Sequence, residues 1–459
     1  MTILHCPSAL LPDGWANDVL LDLGADGTIR GVKAESEPNG AERLAGPVVP
    51  GMANLHSHAF QYAMAGRTEH AGPGDGGDDF WSWRTLMYRF VARMTPDDFE
   101  AIAAQLYLVM LKAGYTAVGE FHYLHRQADG TPYADEAEMA HRIVAAAEGA
   151  GIGLALLPVF YAHAGFGGAP ILRAQKPFAH SVESFLQLLS ALRVRYGKRP
   201  CFSLGIAPHS LRAVTEIQLA ALLEAAAKDD PTGRIHIHVA EQRKEVEDCL
   251  FWSGQRPVEW LLDHAPVDGR WCLVHATHMT DSETERAARS GAVAGLCPTT
   301  EANLGDGLFP AAKFLAAGGS FGIGSDSHDS VNLREELRWL EYGQRLQAGR
   351  RNILAGASGR STASYLFTRA AEGGAAALGH NIGCLVPGAR ADLVVLDDRM
   401  PPLAGAAGDA LLDAWLFAAN DNPVRDVYVA GRAVVRDRHH PQEECVHARY
   451  LAAVKRLLG

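Results

Sequence analysis

The chain has 459 residues, 48% hydrophobic and 21% charged, enough for one large domain with its own core and a smaller second one. Its 42 Lys+Arg against 53 Asp+Glu leave a net charge of −11, which excludes nucleic acid and anionic membrane as bulk partners; arginines that meet an anionic substrate must be gathered locally. No apolar run reaches the ~20 residues that span a bilayer, and Met1–Pro7 lacks a secretory pattern. Seven scattered cysteines without a C-x-x-C read as reduced thiols of a cytoplasmic protein.

Residues 1–47 read as short strands. Asp18–Leu23 and Thr28–Val32 flank Gly24-Ala25-Asp26-Gly27, whose Asp-Gly pair suits a tight hairpin. From Val48 the pattern changes to alternating strand and helix, and the run Val48–Leu55 leads into His56-Ser57-His58. Further strand candidates are Tyr115–Tyr123, Gly153–Tyr161, Cys201–His209, Arg234–Val239, Trp271–His275, Ala292–Thr299 and Ser320–Asp326. Helical stretches lie between them. In Asp97–Ala113, Phe99, Ile102, Leu106, Val109 and Met110 recur at helical spacing, with Thr95 and Pro96 as N-cap and first-turn pair. Eight strands with helical connections predict an α/β fold, a TIM-like (β/α)8 barrel over 48–382. Strands return after about Gly383, at Asp392–Leu396 and at Val424–Val435, the latter broken by Ala430-Gly431-Arg432. Residues 1–47 and 383–459 are therefore expected to form a small β-sandwich domain from both chain ends, with a C-terminal tail.

Side chains alternate faces along a strand, so His56 and His58 point the same way and make half of a divalent-metal site. A lone H-x-H also arises by accident on a surface. Here His209, His238, His275 and Asp326 follow at the carboxyl ends of strands four, five, six and eight, the face on which such barrels carry their catalytic groups. Five histidines and an aspartate on one rim predict a metal centre.

These residues resemble the amidohydrolase superfamily, and the likeness covers nearly the whole chain. It rests on the strand-one H-x-H, on His238-Val239-Ala240-Glu241, on His275 and Asp326, and on Val386–Asp397 as a returning sandwich strand. One subgroup of that family binds two metals bridged by a carboxylated lysine on strand four. Cys201–His209 contains no lysine, so the resemblance implies one divalent ion, ligated by His56, His58, His238 and Asp326. Such a set suits Zn2+, and Fe2+ also binds it. The H-x-x-E of His238 and Glu241 resembles the deaminase branch, where the glutamate moves protons and is not a ligand. Hydrolysis of a C=N bond needs a hydroxide, a proton for the nitrogen and a second proton for departing ammonia. The implied catalytic groups are Asp326, accepting the water proton, Glu241, protonating the imine nitrogen, and His275, hydrogen-bonded to the attacking water.

Within that branch the local sequence is similar to the formimino-glutamate iminohydrolase family. The similarity lies in Asn54–Gln61 with Ala63–Gly66, Phe80–Arg84, Glu120–His125, Pro208–Arg212 and Gly324–Ser327. It implies a small dicarboxylate substrate, with Gln61 near the formimino group and Arg84, Tyr123, His209 and Arg212 around the two carboxylates. Arginine suits that task because its fork binds carboxylate bidentately. The glycine-rich run 67–79 reads as a surface loop or as a lid over the substrate, and its place directly after the ligand strand favours the lid. Trp81 and Trp83 read as packing residues. Two other readings stay open: a deaminase of a guanine-like cyclic amidine, which would share every metal ligand, and a non-catalytic binding protein on the same fold. A homodimer is the expected state.

Overall fold

The computed structural model describes residues 2–70 and 80–459. Its centre is made of parallel strands separated by helices, an α/β architecture. Strands one to three are Met52–Ser57, Tyr115–His122 and Gly153–Phe160. Strand four comes in two short pieces, Phe202–Leu204 and Ala207–Pro208, and Ile235–Val239, Trp271–His275, Val293–Leu296 and Ser320–Ile323 are strands five to eight. Every residue of strands one, two, three, five, six and seven is buried, as expected of parallel strands covered on both faces.

Strands one to four form one parallel sheet and strands five to eight another. Both junctions between the sheets carry backbone bridges, and each has one at the strand ends that bear the candidate residues. On one side Ile206 pairs with Ile235 and Ser210 with His238; on the other Ser57 pairs with Asp326. The hydrogen bonds there include His238 N–H to His209 O (3.1 Å) and Asp326 N–H to His56 O (3.0 Å).

The helix Pro96–Lys112 forms one residue ahead of its expected span. Its start is a reciprocal cap: Thr95 Oγ1 accepts from the Asp98 N–H, and the Asp98 carboxylate accepts from the Thr95 N–H, each at 3.2 Å. Replacing such a cap by alanine costs about 1 kcal/mol. The helix Thr362–Leu378 ends against the amino-terminal side of the strands, where His236 bonds Ala377 O (2.9 Å) and Ser203 bonds Leu378 O (3.1 Å). A β-carbon on Gly373 of this helix would lie 1.9 Å from Phe321 O, so only glycine permits the approach. With that side plugged, the carboxyl ends are the face left for a site.

Three strands fall short of their expected spans by three residues or more. Cys201–His209 breaks at Gly205, where the backbone passes so near strand five that a β-carbon would meet Arg234 O at 2.6 Å. Ala292–Thr299 stops at Leu296, because Pro298 opens the short helix Pro298–Asn303. Ser320–Asp326 stops at Ile323, and Asp326 itself takes a left-handed φ of 44°.

Strands from both chain ends share one eight-stranded sheet: Thr2–Leu11, Gly14–Leu23, Ile29–Lys33, Glu42–Arg43, Val48–Pro50, Leu393–Leu396, Val424–Val429 and Arg432–Val435. The expected hairpin around Asp26-Gly27 is present. Val48–Pro50 joins the two halves, pairing with Ala9 on one side and with Leu393–Val395 on the other. Leu4, Val19, Leu21, Ile29, Leu393 and Val395 belong to an apolar cluster separate from the main core. The C-terminal helix Glu443–Leu458 docks on Pro96–Lys112, with Lys112 Nζ 2.5 Å from Glu443 Oε1. All seven cysteines are free, and no helix among the described residues is long and apolar enough to cross a membrane.

Candidate metal centre and active site

The strand ends bring the candidate ligands to one point. His56 Nε2 lies 3.1 Å from His58 Nε2 and 3.0 Å from His238 Nε2. Asp326 Oδ1 is 3.3 Å from His56 Nε2 and 3.2 Å from His58 Nε2. One ligand atom from each of His56, His238, His275 and Asp326 falls within 4.8 Å of the others. His275, expected to hold the attacking water, therefore sits in the same cluster as the expected ligands.

Tautomers sharpen the picture. His58 Nδ1 donates to Phe121 O at 3.0 Å and His238 Nδ1 donates to His209 O at 3.1 Å, so both rings turn an Nε2 lone pair inward. A proton on His56 Nε2 could serve only one of the three acceptors that converge on it. A divalent cation serves all four groups at once. The separations of 3.0–3.3 Å approach the roughly 3.4 Å edge of a tetrahedron with ~2.1 Å metal–ligand bonds. Burial lowers the pKa of His238 well below its ordinary value, which keeps the ring in the neutral form that a metal requires. The donor set fits one divalent ion.

The backbone is strained where these groups emerge. Ala240, His275 and Asp326, at or just beyond the ends of strands five, six and eight, have φ of 51°, 66° and 44°, a region that costs non-glycine residues about 1–3 kcal/mol each. The bonds from Ala276 N–H to Val239 O and from His278 N–H to Ala240 O, both 3.0 Å, hold two of these turns in place.

Glu241 lies beside the cluster, its Oε1 3.8 Å from His275 Nε2 and its Oε2 3.7 Å from an Arg212 guanidinium nitrogen. Burial raises its pKa, against the pull of His275 and Arg212. The Glu245 carboxylate fixes this turn by accepting the N–H groups of Ala240 (3.2 Å) and Glu241 (3.3 Å). His275 Nδ1 is 3.3 Å from Glu301 Oε1. Against the effect of burial, the carboxylates of Glu241, Glu301 and Asp326 lift His275 to about 10.

A cavity of about 560 Å³, open to solvent, runs up to these groups. All five residues expected to touch substrate, Gln61, Arg84, Tyr123, His209 and Arg212, line it together with Glu241, His275 and Asp326. Gln61 sits in the short turn Ala59–Met64 and donates to Tyr123 Oη at 2.7 Å; its own Oε1 is buried with no hydrogen-bond partner among the described residues. Arg212 is buried between Glu241 and Glu245. Arg84, on the helix Phe80–Val91, lies 5.5 Å from the ring centre of Tyr88. Trp83, read as a packing residue, is half-buried against the main apolar core and also lines the cavity. The Trp81 side chain, and all but the first residues of the supposed lid at 67–79, lie outside the described residues.

Sequence reasoning missed the supports of this site. Glu301 orients His275, and its signal is Pro298, which opens a helix before the end of the expected strand Ala292–Thr299. Glu120 receives Ser57 Oγ (2.6 Å), Tyr107 Oη (3.1 Å) and the Ala59 N–H (2.7 Å), clamping the H-x-H turn from behind.

A model described as "Amidohydrolase family" matches residues 48–434, and one described as "Formimidoylglutamate deiminase HutF, N-terminal domain" matches residues 1–46. A formimidoylglutamate deiminase of Pseudomonas aeruginosa is 56% identical, over 97% of each chain. An 8-oxoguanine deaminase of the same species is 27% identical over 84% of this chain and 81% of its own. Among solved structures, an amidohydrolase from Brucella melitensis has a TM-score of 0.94 at 50% identity, over 100% of both chains. An adenosine deaminase from Xanthomonas campestris, with bound zinc, has a TM-score of 0.82 at 21% identity, over 100% of this chain and 98% of its own, and so shares the fold. The matched region runs through every strand whose end contributes to the cluster, and the chain belongs to the amidohydrolase family.

Proposed function

We propose that this chain hydrolyses N-formimino-L-glutamate to N-formyl-L-glutamate and ammonia, a deimination in histidine degradation. One observation carries the reading: a three-histidine, one-aspartate cluster and two arginines, Arg84 and Arg212, open into the same cavity. A linear amidine bearing two carboxylates suits that combination, because an arginine fork binds a carboxylate bidentately, whereas a neutral purine offers no carboxylate to either guanidinium. The formimidoylglutamate deiminase similarity along the whole chain supports the same substrate.

The architecture that goes with this reading is a (β/α)8 barrel over 48–382 apart from Val48–Pro50, which pair in the eight-stranded sheet, with the two parallel sheets joined through the bridges at both junctions. Residues 1–47 and 383–459, together with Val48–Pro50, would form the companion β-sandwich around its own apolar cluster. The ligands are His56, His58, His238 and Asp326, and Zn2+ suits them. When bound, the ion supplies Lewis acidity that brings the pKa of water toward ~7 and so makes a nucleophile available.

The protein side chains do the rest. Asp326 accepts the proton that the attacking water gives up, and His275 holds that water by a hydrogen bond. Glu241, whose carboxyl burial favours the protonated form, delivers a proton to the imine nitrogen and moves the next one to the leaving ammonia. Gln61 holds the formimino group while Arg84, Tyr123, His209 and Arg212 fix the carboxylates. Ammonia release from formimino-glutamate, guanine and 8-oxoguanine by the zinc-loaded enzyme tests the reading. Turnover of formimino-glutamate alone is the expected result, and turnover of a purine without it would overturn the assignment.

A further inference from the structure

Two phenols in the cavity wall have no role in the reaction described above. Tyr88 and Tyr161 both line the cavity, and one buried side chain holds both of them. Gln175 lies in the turn Arg173–Phe178, and its Oε1 accepts the Leu172 N–H at 2.9 Å. A backbone N–H only donates, so this bond fixes which end of the amide is oxygen. The Nε2 end then donates to Tyr161 Oη at 2.9 Å and to Tyr88 Oη at 3.3 Å. An amide NH2 is no acceptor, so neither phenol can direct its own proton back to Gln175. No other hydrogen-bond partner of either hydroxyl lies among the described residues. Both protons are therefore left to face the cavity. Arg84 and Arg212 lie within electrostatic reach of Tyr161, and both phenols lie within reach of Arg212. Burial pushes the Tyr161 phenol up to about 12, so its proton stays on at neutral pH.

We propose that Tyr88 and Tyr161 are two further substrate-binding residues, donating O–H hydrogen bonds to one substrate carboxylate beside Arg84 and Arg212, and that Gln175 is the positioning residue that fixes both as donors. This rests on the dicarboxylate reading of the substrate. A carboxylate offers about four lone-pair sites, so two phenols can act alongside the arginines without displacing them.

The test uses Tyr88→Phe, Tyr161→Phe, the double variant and Gln175→Glu, all as metal-loaded enzyme. Each phenylalanine variant should raise KM for formimino-glutamate about 10-fold with kcat little changed, because the carboxylate is held alike in ground and transition states. Gln175→Glu keeps the acceptor for Leu172 but draws both phenol protons toward itself. It should match the double variant, about 100-fold in KM, and add nothing when combined with it. Should Gln175→Glu fail to fold, Gln175→Met replaces it, expected to raise KM while leaving kcat and the thermal midpoint near wild type. N-formimino-γ-aminobutyrate and N-formimino-L-norvaline each lack one carboxylate, and the effect of the phenols should vanish on one of them and persist on the other. Equal losses on both analogues, or an unchanged KM in the phenylalanine variants, would overturn the inference. Calorimetric titration with glutarate separates it from the substrate reading. If the wild type binds glutarate and the phenol variants lose that binding, the inference stands even where formimino-glutamate is not turned over. A wild type that neither binds glutarate nor turns over formimino-glutamate overturns both.

Discussion

Two groups of buried histidines flank strand two, and only one of them is built to bind a metal. His56, His58, His238 and His275 aim nitrogens at a common point that Asp326 shares, with Glu241 and Glu301 against His275. His122, His125 and His180 also stand close, with ring centres 4.9 and 4.6 Å apart, but the rings meet edge to face and no carboxylate among the described residues joins them. Alternation along one strand separates the groups: Phe121 packs on His56 and His238, and Tyr123 lines the cavity, while His122 between them turns back toward Phe99. Histidine density is therefore no measure of a metal site. What distinguishes the first group is an acid among the imidazoles and, in His58 and His238, an Nδ1 anchored on a carbonyl, which leaves Nε2 free.

The largest effect that tests this contrast is loss of a ligand. His56→Ala, His238→Ala or Asp326→Ala should reduce activity below detection and remove the one metal ion per chain that elemental analysis of the wild type is expected to show. His122→Phe should leave that ion in place. Loss of stoichiometric metal from the His122 variant, or two ions per chain in the wild type, would break the comparison. Next in size is Glu241→Gln, which keeps the shape and the contact with Arg212 but carries no proton. It should lower kcat by roughly 10²–10⁴-fold with the metal retained. A variant that kept most of its kcat would mean that protons travel by another group.

The same contrast explains what could be read from the sequence. Strand-end chemistry was legible because a strand fixes where each side chain points: His56, His58, His238, His275 and Asp326 all reach the predicted rim. Arg84, Tyr123, His209 and Arg212 also reach the cavity, but resemblance and not periodicity had picked them out. Loop-borne parts stayed hidden. Gln175 meets Tyr88 across 87 residues of chain and Tyr161 from a turn without periodic pattern, so nothing local announces either bond. Glu301 was hidden behind Pro298, which ended a strand read as longer. His122 and His125 stood within a motif stretch, but only the packed structure shows His180 completing their cluster.

The smallest expected effect concerns the acid side of the second cluster. Burial lowers His122 well below the ordinary histidine value, with His125 and His180 adding to the shift; His125 falls to about 4 and His180 to about 2. Neither nitrogen of His122 has a hydrogen-bond partner among the described residues, so the folded protein holds this ring neutral at no gain from bonding. In the unfolded chain the same ring takes a proton near its ordinary value of ~6.5. A group whose folded pKa is depressed stabilises the fold above the unfolded value. Its contribution falls as pH drops below ~6.5 and levels off only near the folded value. At pH 5 the deficit is about 2 kcal/mol for one such histidine. His122→Phe keeps an aromatic ring against Phe99 and removes the titration, so the variant should gain about 2 kcal/mol on the wild type between pH 7 and pH 5. Urea unfolding of both proteins at the two pH values measures the gain, and acid release of metal, common to both, cancels in the difference. A wild-type-to-variant gap that does not change with pH would mean that His122 carries its proton in the fold, and the two histidine groups would then be less different than their geometry implies.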